Sequence, residues 1–232
     1  MLPEVTVPLV TLQGRAARAG ENRLLGPLDP AMARDLAAAA ARSPSSRWEL
    51  TVVDEHGYAV GHGVARPGRG RRQPPQPPPG PAGCAFPARI NITVTETRLR
   101  QLAAQAGQVT EPRSGAPPGE WDLAPRAAGG WALMLPGGRE LAVRFDVVPT
   151  HECDHRHEVG TYEPSQRLRR LIVVRDQECT FPPCSRPARD SDFEHAVPYD
   201  QGGRTDACKC DARSHMLRVN SRIGGLACRP AA

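Results

Sequence analysis

Four cysteines near the end of the chain are spaced like the ligands of small zinc-binding folds. Cys179 and Cys184 enclose four residues, Thr-Phe-Pro-Pro, and Cys208 and Cys210 enclose one. Pairs of thiolates separated by about twenty residues can fold back onto one tetrahedral ion. The spacing therefore predicts a structural zinc site, although the second pair is tighter than the usual knuckle of a zinc ribbon. The alternative is a set of isolated buried thiols.

A second group of potential metal ligands lies upstream, in residues 151–157, whose sequence is HECDHRH. The ligand-type side chains of this segment are His151, Cys153, Asp154, His155 and His157. Imidazole and thiolate groups both bind zinc well. However, side chains this close in sequence do not easily converge on one tetrahedral ion. A polar connecting loop is therefore the favoured prediction for 151–157, and a metal site is the alternative.

The residues around the cysteines predict a helix, a strand, a turn and a second helix. Residues 164–176 have the periodicity of an amphipathic helix that would pack the following module. Its apolar face consists of Leu168, Leu171 and Ile172. Phe193, His195 and Val197 alternate as in a strand. Residues 200–203, Asp-Gln-Gly-Gly, favour a turn, and a short helix is predicted over 211–222.

The first 66 residues predict a small packed fragment. Asp29-Pro30 is a good helix start, because a capping side chain precedes a proline at the first helical position. The predicted helix ends near Arg42. A strand over 48–53 and a second near 58–60 then predict a hairpin. Two histidines next to this hairpin have no clustered ligands around them and are predicted to be surface residues: His56 and His62.

A linker and a second α/β segment follow. Residues 67–83 are so rich in proline that helix and sheet are excluded and an extended polyproline conformation is favoured. In 84–157, the alternation of Ile90, Ile92 and Val94 predicts a strand, with a helix after it over 96–105. Two apolar alternating runs on either side of Pro136-Gly137-Gly138 predict a hairpin. The remaining residues, 158–232, form the C-terminal module, and the fold class is α+β.

Composition limits the function without choosing it. Hydrophobic residues make up 39% of the chain and aromatic residues 4%, so the core must be built mostly from small aliphatic side chains. Lys209 is the only lysine among 30 basic residues. This arginine bias suits phosphate binding, and codon bias in a GC-rich genome explains it equally well. No apolar run approaches the ~18 residues of a membrane span.

The cysteine count and the N-terminus predict the compartment. Seven cysteines is an odd number, which argues against a secreted disulfide scaffold. The short apolar stretch at the N-terminus has no basic residues before it, unlike a signal peptide. A reducing, cytoplasmic setting is therefore predicted, with no membrane partner, and clustered cysteines in that setting favour metal binding.

One run of sequence resembles a known nuclease module. The run RDQECTFPPCSRPARDSDFEHAVPYDQGGRT is similar to the HNH (His-Me finger) endonuclease modules of a bacterial family whose members carry a domain of unknown function upstream. The segments CDHRHE, YEPSQRLRRL and LLGPLDPAMARDLAAAAARSP are also similar to that family. The resemblance covers most of the chain and is strongest over 162–205. It implies a small ββα-metal module at the C-terminus, behind a partial α/β upstream domain and a Pro-rich linker.

The resemblance implies a metal-dependent DNA endonuclease and assigns roles to individual residues. His195 is then the general base that activates water, since an imidazole titrates near neutrality. Glu194 is a ligand of a divalent metal, for which Mg, Mn, Ni and Zn all fit the ligand chemistry. The expected partner is DNA rather than a small-molecule substrate. Arginines of the module are expected to bind nucleic acid: Arg186, Arg204 and Arg213.

The sequence departs from the family pattern around its last helix. Family members place a second metal-binding histidine near Leu217 or Arg218, and His215 could replace it only if the helix is shifted. Lys209 stands where an asparagine is common, and Asp206 where a cysteine is common. Relative to the family, the chain is expected to begin partway into the upstream domain and to stop short of the usual tail. A truncated or frameshifted reading frame is one explanation, and an ordinary divergent helix is the other.

Two alternatives to the nuclease follow from these departures. One is a catalytically impaired nucleic-acid-binding remnant that retains the cysteine cluster and its exposed arginines. The other is a structural zinc-ribbon interaction domain, which would leave Glu194 and His195 without a role.

Overall fold

The computed structural model describes residues 2–68, 85–107, 120–149, 155–181, 184–207 and 210–213. The chain forms two compact units, Met1–Asp146 and Val147–Ala232. The sequence segments on either side of the predicted linker, 1–66 and 84–146, therefore belong to one unit. Residues 69–84, which make up most of the linker, lie outside the described residues.

The first unit combines strands with three helices. The strands are β1 (Glu4–Pro8), β2 (Gly20–Asn22), β3 (Gly26–Leu28), β4 (Arg47–Val53), β5 (Ala59–Pro67), β6 (Arg89–Thr95), β7 (Asp122–Pro125), β8 (Trp131–Met134) and β9 (Glu140–Val143). The helices are α1 (Leu9–Leu12), α2 (Pro30–Ala41) and α3 (Glu96–Gly107). A two-residue strand, β10 (Asp146–Val147), lies at the junction between the units.

The described strands of this unit form one mixed sheet. Their order is β3-β2-β1-β6-β4-β5-β9-β8-β7. β6 lies between β1 and β4 and is parallel to both, whereas the neighbours outside this centre, such as β4 and β5, are antiparallel. Helices together with a mixed sheet confirm the α+β class in its general form.

Helix α2 shows why the sequence folds as predicted in this region. The Asp29 carboxylate accepts hydrogen bonds from the backbone N–H groups of Ala31 and Met32 at 2.8 and 3.4 Å. Pro30 begins the helix without losing a hydrogen bond, since the first helical N–H has no partner in the helix. Small alanines line its buried face, namely Ala33, Ala37 and Ala40. The predicted start at Asp29-Pro30 and the predicted end near Arg42 are confirmed.

The core of the first unit lies on one face of the central strands. Alternate residues of β1 and β6 are buried, as period-2 alternation requires, whereas residues 48–52 of β4 are all buried. The buried apolar residues of the three strands are Val5, Val7, Trp48, Leu50, Val52, Ile90, Ile92 and Val94. Trp48 packs against Trp121 with ring centroids 5.4 Å apart. The predicted strands at 48–53 and 90–94, the helix after 95 and the hairpin around 136–138 are all confirmed.

The predicted surface position of His62 is wrong. Strand β5 continues to Pro67, well beyond the predicted 58–60, and pairs His62 with Thr51 of β4. His62 is buried, and its Nδ1 lies 3.3 Å from the Thr51 hydroxyl, which donates to the Asn91 side chain at 2.9 Å. The sheet therefore carries a polar row across its centre. His56 is exposed in the turn, as predicted.

The second unit is built around one helix and a two-stranded sheet. Helix α4 spans Gln166–Asp176, and strands β11 (Asp192–His195) and β12 (Cys210–Arg213) pair antiparallel. Single 3-10 turns precede and follow β11, at Ala188–Asp190 and Tyr199–Gln201. The Ser165 hydroxyl caps α4 by accepting from the backbone N–H of Leu168. The amphipathic helix predicted over 164–176 is confirmed.

A small apolar cluster holds this unit together. The three residues of the predicted apolar face of α4 are buried. Two of them, Leu168 and Ile172, form a cluster with Ala188, Phe193, Ala207, Cys210 and Ala212. The predicted helix over 211–222 is wrong at its start, because 211–213 belong to β12 and pair with β11. Backbone hydrogen bonding across the sheet overrides the local helical preference there. The rest of 211–222 lies outside the described residues.

Within the described part of the chain, none of the helices has the length and apolar character needed to cross a membrane.

Candidate functional site

His195 ends β11 and is directed into the second unit. Its relative exposure is 7%, and its register partner on β12 is Cys210. The ring Nε2 lies 2.8 Å from the Thr205 hydroxyl, a residue with no exposure. The Thr205 hydroxyl donates in turn to the backbone carbonyl of Tyr162 at 3.5 Å. A short chain of hydrogen bonds therefore fixes the orientation of the imidazole.

Three aromatic rings surround this imidazole. Tyr162 stacks on it with centroids 5.2 Å apart and an interplanar angle of 23°. Phe193 approaches edge-on at 5.8 Å, and Tyr199 lies at 5.7 Å. Both tyrosines are exposed, whereas Phe193 belongs to the buried cluster. His195 thus lies where the apolar core meets an exposed aromatic surface.

Glu194 occupies the other face of the same strand. Successive side chains of a strand alternate between its two faces, and on β11 Phe193 and His195 are buried while Glu194 is half-buried. Its register partner is Asp211 of β12. The structure therefore places Glu194 next to His195 along the chain but on the opposite side of the sheet.

A turn of residues 155–158 brings one histidine and two carboxylates together beside Thr205. The backbone N–H of Glu158 bonds to the carbonyl of His155 at 2.9 Å, which closes the turn. Val159 then pairs with Thr205 in an antiparallel bridge. This bridge aligns the turn with Asp206, the residue after Thr205.

The three ligand atoms of this group lie within 4.8 Å of one another. His155 Nδ1 is 2.9 Å from the Asp206 carboxylate and 3.9 Å from that of Glu158. Asp206 has 0% side-chain exposure, against 47% for His155 and 31% for Glu158. Among the described residues this is the one set of three metal-binding side chains that converge.

Arg204 borders the same group. Its guanidinium is 3.1 Å from both carboxylate oxygens of Glu158, and its side chain is 67% exposed. The structure gives fewer contacts for the other two predicted nucleic-acid-binding residues. Arg186 is exposed, and its carbonyl accepts from the backbone N–H of Cys179. Arg213 lies on β12 opposite Asp192.

Helix α4 holds the segment that carries these groups. The Arg175 guanidinium donates to the backbone carbonyls of Ala207 and Cys210 and pairs with the neighbouring Asp176. The Asp176 carboxylate accepts from the backbone N–H of Ala212 at 2.9 Å. One Arg-Asp pair at the end of the helix therefore ties α4 to both the start of β12 and the residues just before it.

The predicted zinc ligands are only partly described. Cys179 and Cys210 are buried, Cys184 is half-buried, and none of the three forms a disulfide among the described residues. The Cys210 thiol donates to the carbonyl of Arg204 at 3.6 Å. Among the described residues these three thiols do not form a metal-binding set. Cys208 lies outside the described residues, as does His215, the predicted second catalytic ligand.

Several residues at the site were missed at the level of sequence. Glu158 and Thr205 each end a segment that resembles the nuclease family, but the sequence assigned no role to either. Asp206 was noted only as a departure from the family pattern. His155 belonged to a segment predicted to be a polar loop. The turn at 155–158 shows no alternation or helical period, so only the pairing of Val159 with Thr205 reveals which side chains converge.

Comparisons with known proteins find relatives without an assigned function. The chain is similar to the uncharacterized protein Rv3776 of Mycobacterium tuberculosis (strain ATCC 25618 / H37Rv), with 32% identity over 133 residues. That match covers 50% of this chain and 25% of the relative. The uncharacterized proteins MT2160 and Rv2100 of two Mycobacterium tuberculosis strains, CDC 1551 / Oshkosh and ATCC 25618 / H37Rv, are each 37% identical over 57 residues.

The chain spans a quarter of the length of the first of these relatives and 10% of the other two. No protein-family model matches it. No solved structure matches it either.

Proposed function

We propose that the second unit is an HNH-type module that hydrolyses phosphodiester bonds of DNA with the help of a divalent metal, and that His195 is its general base. The observation that carries the proposal is the position of His195 at the end of a β-hairpin strand, with one ring nitrogen bonded to a fully buried hydroxyl. A buried, oriented imidazole beside an exposed aromatic surface is well placed to act on a bound substrate.

The hydrogen bonds around Thr205 favour one tautomer of His195. The single hydrogen of the Thr205 hydroxyl points to the carbonyl of Tyr162. The hydroxyl oxygen then accepts from Nε2–H of His195, which places the basic lone pair on Nδ1. With this tautomer, Nδ1 would accept the proton from water. The Thr205 hydroxyl oxygen, backed by the Tyr162 carbonyl, would then stabilise the positive imidazolium through its Nε2–H group.

A catalytic metal would be held by Glu194 together with His215, the ligands that the resemblance assigns. Glu194 contributes a half-buried carboxylate, which suits a divalent ion, and His215 lies outside the described residues. When bound, such an ion supplies neutralisation of charge on the phosphate. Within the described residues the chain itself supplies the base and the aromatic surface around it.

The direct test is a plasmid-nicking assay on the purified protein with Mg²⁺, Mn²⁺, Ni²⁺ or Zn²⁺, and with EDTA. We expect metal-dependent nicking that the His195→Ala variant loses by about 10²-fold or more, the usual contribution of a general base. His56→Ala is the matched control, because His56 is an exposed histidine in the first unit. Circular dichroism of all three proteins establishes that they are folded.

A different result would favour the nucleic-acid-binding remnant. The position of Glu194 on the face opposite His195 supports this second candidate, since a catalytic centre requires both groups to act on one phosphate. A folded protein that binds DNA in a salt-dependent way and cleaves it with none of the four ions would rule out the nuclease for this chain and leave that alternative.

A further inference from the structure

We infer that His155, Glu158 and Asp206 form a divalent-metal site that is separate from Glu194 and His195, and that Arg204 is its internal competitor. The set combines one imidazole nitrogen with two carboxylate oxygens. Such mixed N and O ligands suit Mn²⁺ and Zn²⁺ better than Cu⁺, which prefers sulfur ligands. The inference does not depend on nuclease activity, because it concerns binding alone.

The distances already approximate a coordination sphere. Ligand atoms at about 2.1 Å from one ion are about 3.0 to 3.4 Å apart in octahedral or tetrahedral geometry. His155 Nδ1 and the Asp206 carboxylate are 2.9 Å apart, and His155 Nδ1 and the Glu158 carboxylate are 3.9 Å apart. A small rotation of the Glu158 side chain, which is 31% exposed, brings it into place.

The backbone arranges these side chains before any ion binds. His155 holds a left-handed conformation with φ of 54°, which is uncommon for a residue other than glycine. The turn it opens places His155 and Glu158 on one side, and the Val159–Thr205 bridge sets Asp206 against them. Ligands on two chain segments thus meet without a loop having to close, which reduces the entropic cost of binding.

Burial of Asp206 favours a cation at this point. A fully buried carboxylate is costly unless positive charge or several donors compensate it. His155 Nδ1 lies within hydrogen-bonding distance of the Asp206 carboxylate, at 2.9 Å. A divalent ion bound at His155 Nδ1 would place two positive charges between the Asp206 and Glu158 carboxylates.

Arg204 occupies the place that a metal would need at Glu158. Its guanidinium bonds to both oxygens of that carboxylate, and a metal must take at least one of them. Because the Arg204 side chain is largely exposed, it can turn away into solvent at little cost. Metal binding would therefore release Arg204 from Glu158 and present its charge at the surface, two residues from Asp206.

The site also connects to His195. Asp206 directly follows Thr205, whose hydroxyl bonds to the His195 ring. An ion that joins 155–158 to Asp206 would therefore fix the segment that orients His195, without contacting the imidazole itself.

The test measures Mn²⁺ binding to the EDTA-stripped protein, with the free ion quantified by electron paramagnetic resonance. Mn²⁺ is chosen because it binds thiolates weakly, so the cysteines do not contribute. We expect His155→Gln and Glu158→Gln each to weaken one Mn²⁺ site at least tenfold. The matched controls are His56→Gln and Glu163→Gln, exposed residues outside the set, and both should bind as the unmodified protein does.

Arg204→Gln separates this site from an ordinary ion-pair network. Removing the competing guanidinium should tighten Mn²⁺ binding about two- to fivefold, the value of an exposed ion pair. If no metal site is present at Glu158, loss of the Arg204–Glu158 ion pair would leave the Mn²⁺ affinity of the protein unchanged. Mn²⁺ binding that is unaltered in both His155→Gln and Glu158→Gln, with folding verified by circular dichroism, would overturn the inference.

The binding result is also distinguishable from the nuclease result. His195→Ala should keep this Mn²⁺ site while it loses nicking. If no protein nicks DNA but the two glutamine variants still lose Mn²⁺, the proposed nuclease fails and the metal site remains.

Discussion

At the scale of single residues, Thr205 has the most demanding position in the second unit. It has no exposure, its backbone pairs with Val159, and its hydroxyl bonds to both His195 and the carbonyl of Tyr162. A buried donor that loses its acceptor bears the full cost of desolvation. This one hydroxyl group therefore contributes to the stability of the second unit and also orients the His195 imidazole.

Thr205→Val tests this position. The valine has nearly the same shape but offers no acceptor to His195 Nε2, so we expect a loss of about 1–3 kcal/mol in the free energy of unfolding of the second unit. Urea denaturation followed by circular dichroism measures the change. Thr205→Ser keeps the hydroxyl and should retain most of that stability. Equal urea midpoints for the valine and serine variants would show that the hydroxyl makes no contribution.

The neighbouring glycines show a different constraint. A Cβ at Gly203 would lie 1.9 Å from the carbonyl oxygen of Val197, which no side chain can tolerate. Gly202 adopts φ of 89°, the left-handed region in which glycine has no penalty. The Gly-Gly pair is therefore required by the turn that follows β11, where the composition of residues 200–203 also predicts a turn.

At the scale of elements, Arg175 joins helix α4 to β12. Helical periodicity alone places Arg175 outside the apolar face formed by Leu168, Leu171 and Ile172. In the structure its guanidinium donates to two backbone carbonyls and pairs with Asp176, and the side chain is mostly buried. Periodicity distinguishes apolar from polar positions but does not reveal a polar side chain that crosses to a neighbouring strand.

Arg175→Met should therefore cost more than its position on the helix suggests. We expect a loss of about 2–4 kcal/mol in the unfolding free energy of the second unit, because two carbonyls and the Asp176 carboxylate lose their donor. Arg170→Met is the control, since the Arg170 guanidinium donates to the carbonyl of Gln166 in its own helix. Thermal unfolding of the two variants compares them directly, and equal melting temperatures would contradict the role of Arg175.

The elements that the sequence predicted well are those with a local cause. Asp29-Pro30 caps α2 through contacts within three residues, and the alternation in β6 reflects burial of one face of a strand. The length of β5 and the burial of His62 depend instead on pairing with β4 and β9.

The same distinction between local and long-range causes explains how much of the candidate site could be predicted. His195 lies in a recognisable motif, whereas the grouping of His155 with Asp206 spans 51 positions and leaves no periodic trace.

At the scale of the whole molecule, the division into two units has a measurable consequence. The main apolar cluster of the first unit is formed entirely by residues between Val5 and Val143. A unit with its own core is expected to fold alone.

A fragment of residues 1–146 should therefore unfold in a single cooperative transition. Denaturation in urea, followed separately by tryptophan fluorescence and by circular dichroism, measures it, because all three tryptophans fall within this fragment. Coincident transitions are the expected result. A broad, non-cooperative change would mean that the first unit depends on residues after 146.

The central position of β6 affects the protein while it is being synthesised. β1 and β4 both pair with β6 along their lengths, yet β6 follows them in the chain, after the proline-rich residues. Until residues 89–95 have left the ribosome, the nascent chain holds two apolar strands with unfilled edges, and such edges pair readily with other chains. The hydrophilic stretch between β5 and β6 thus lengthens the interval in which a chaperone would have to protect the first 67 residues.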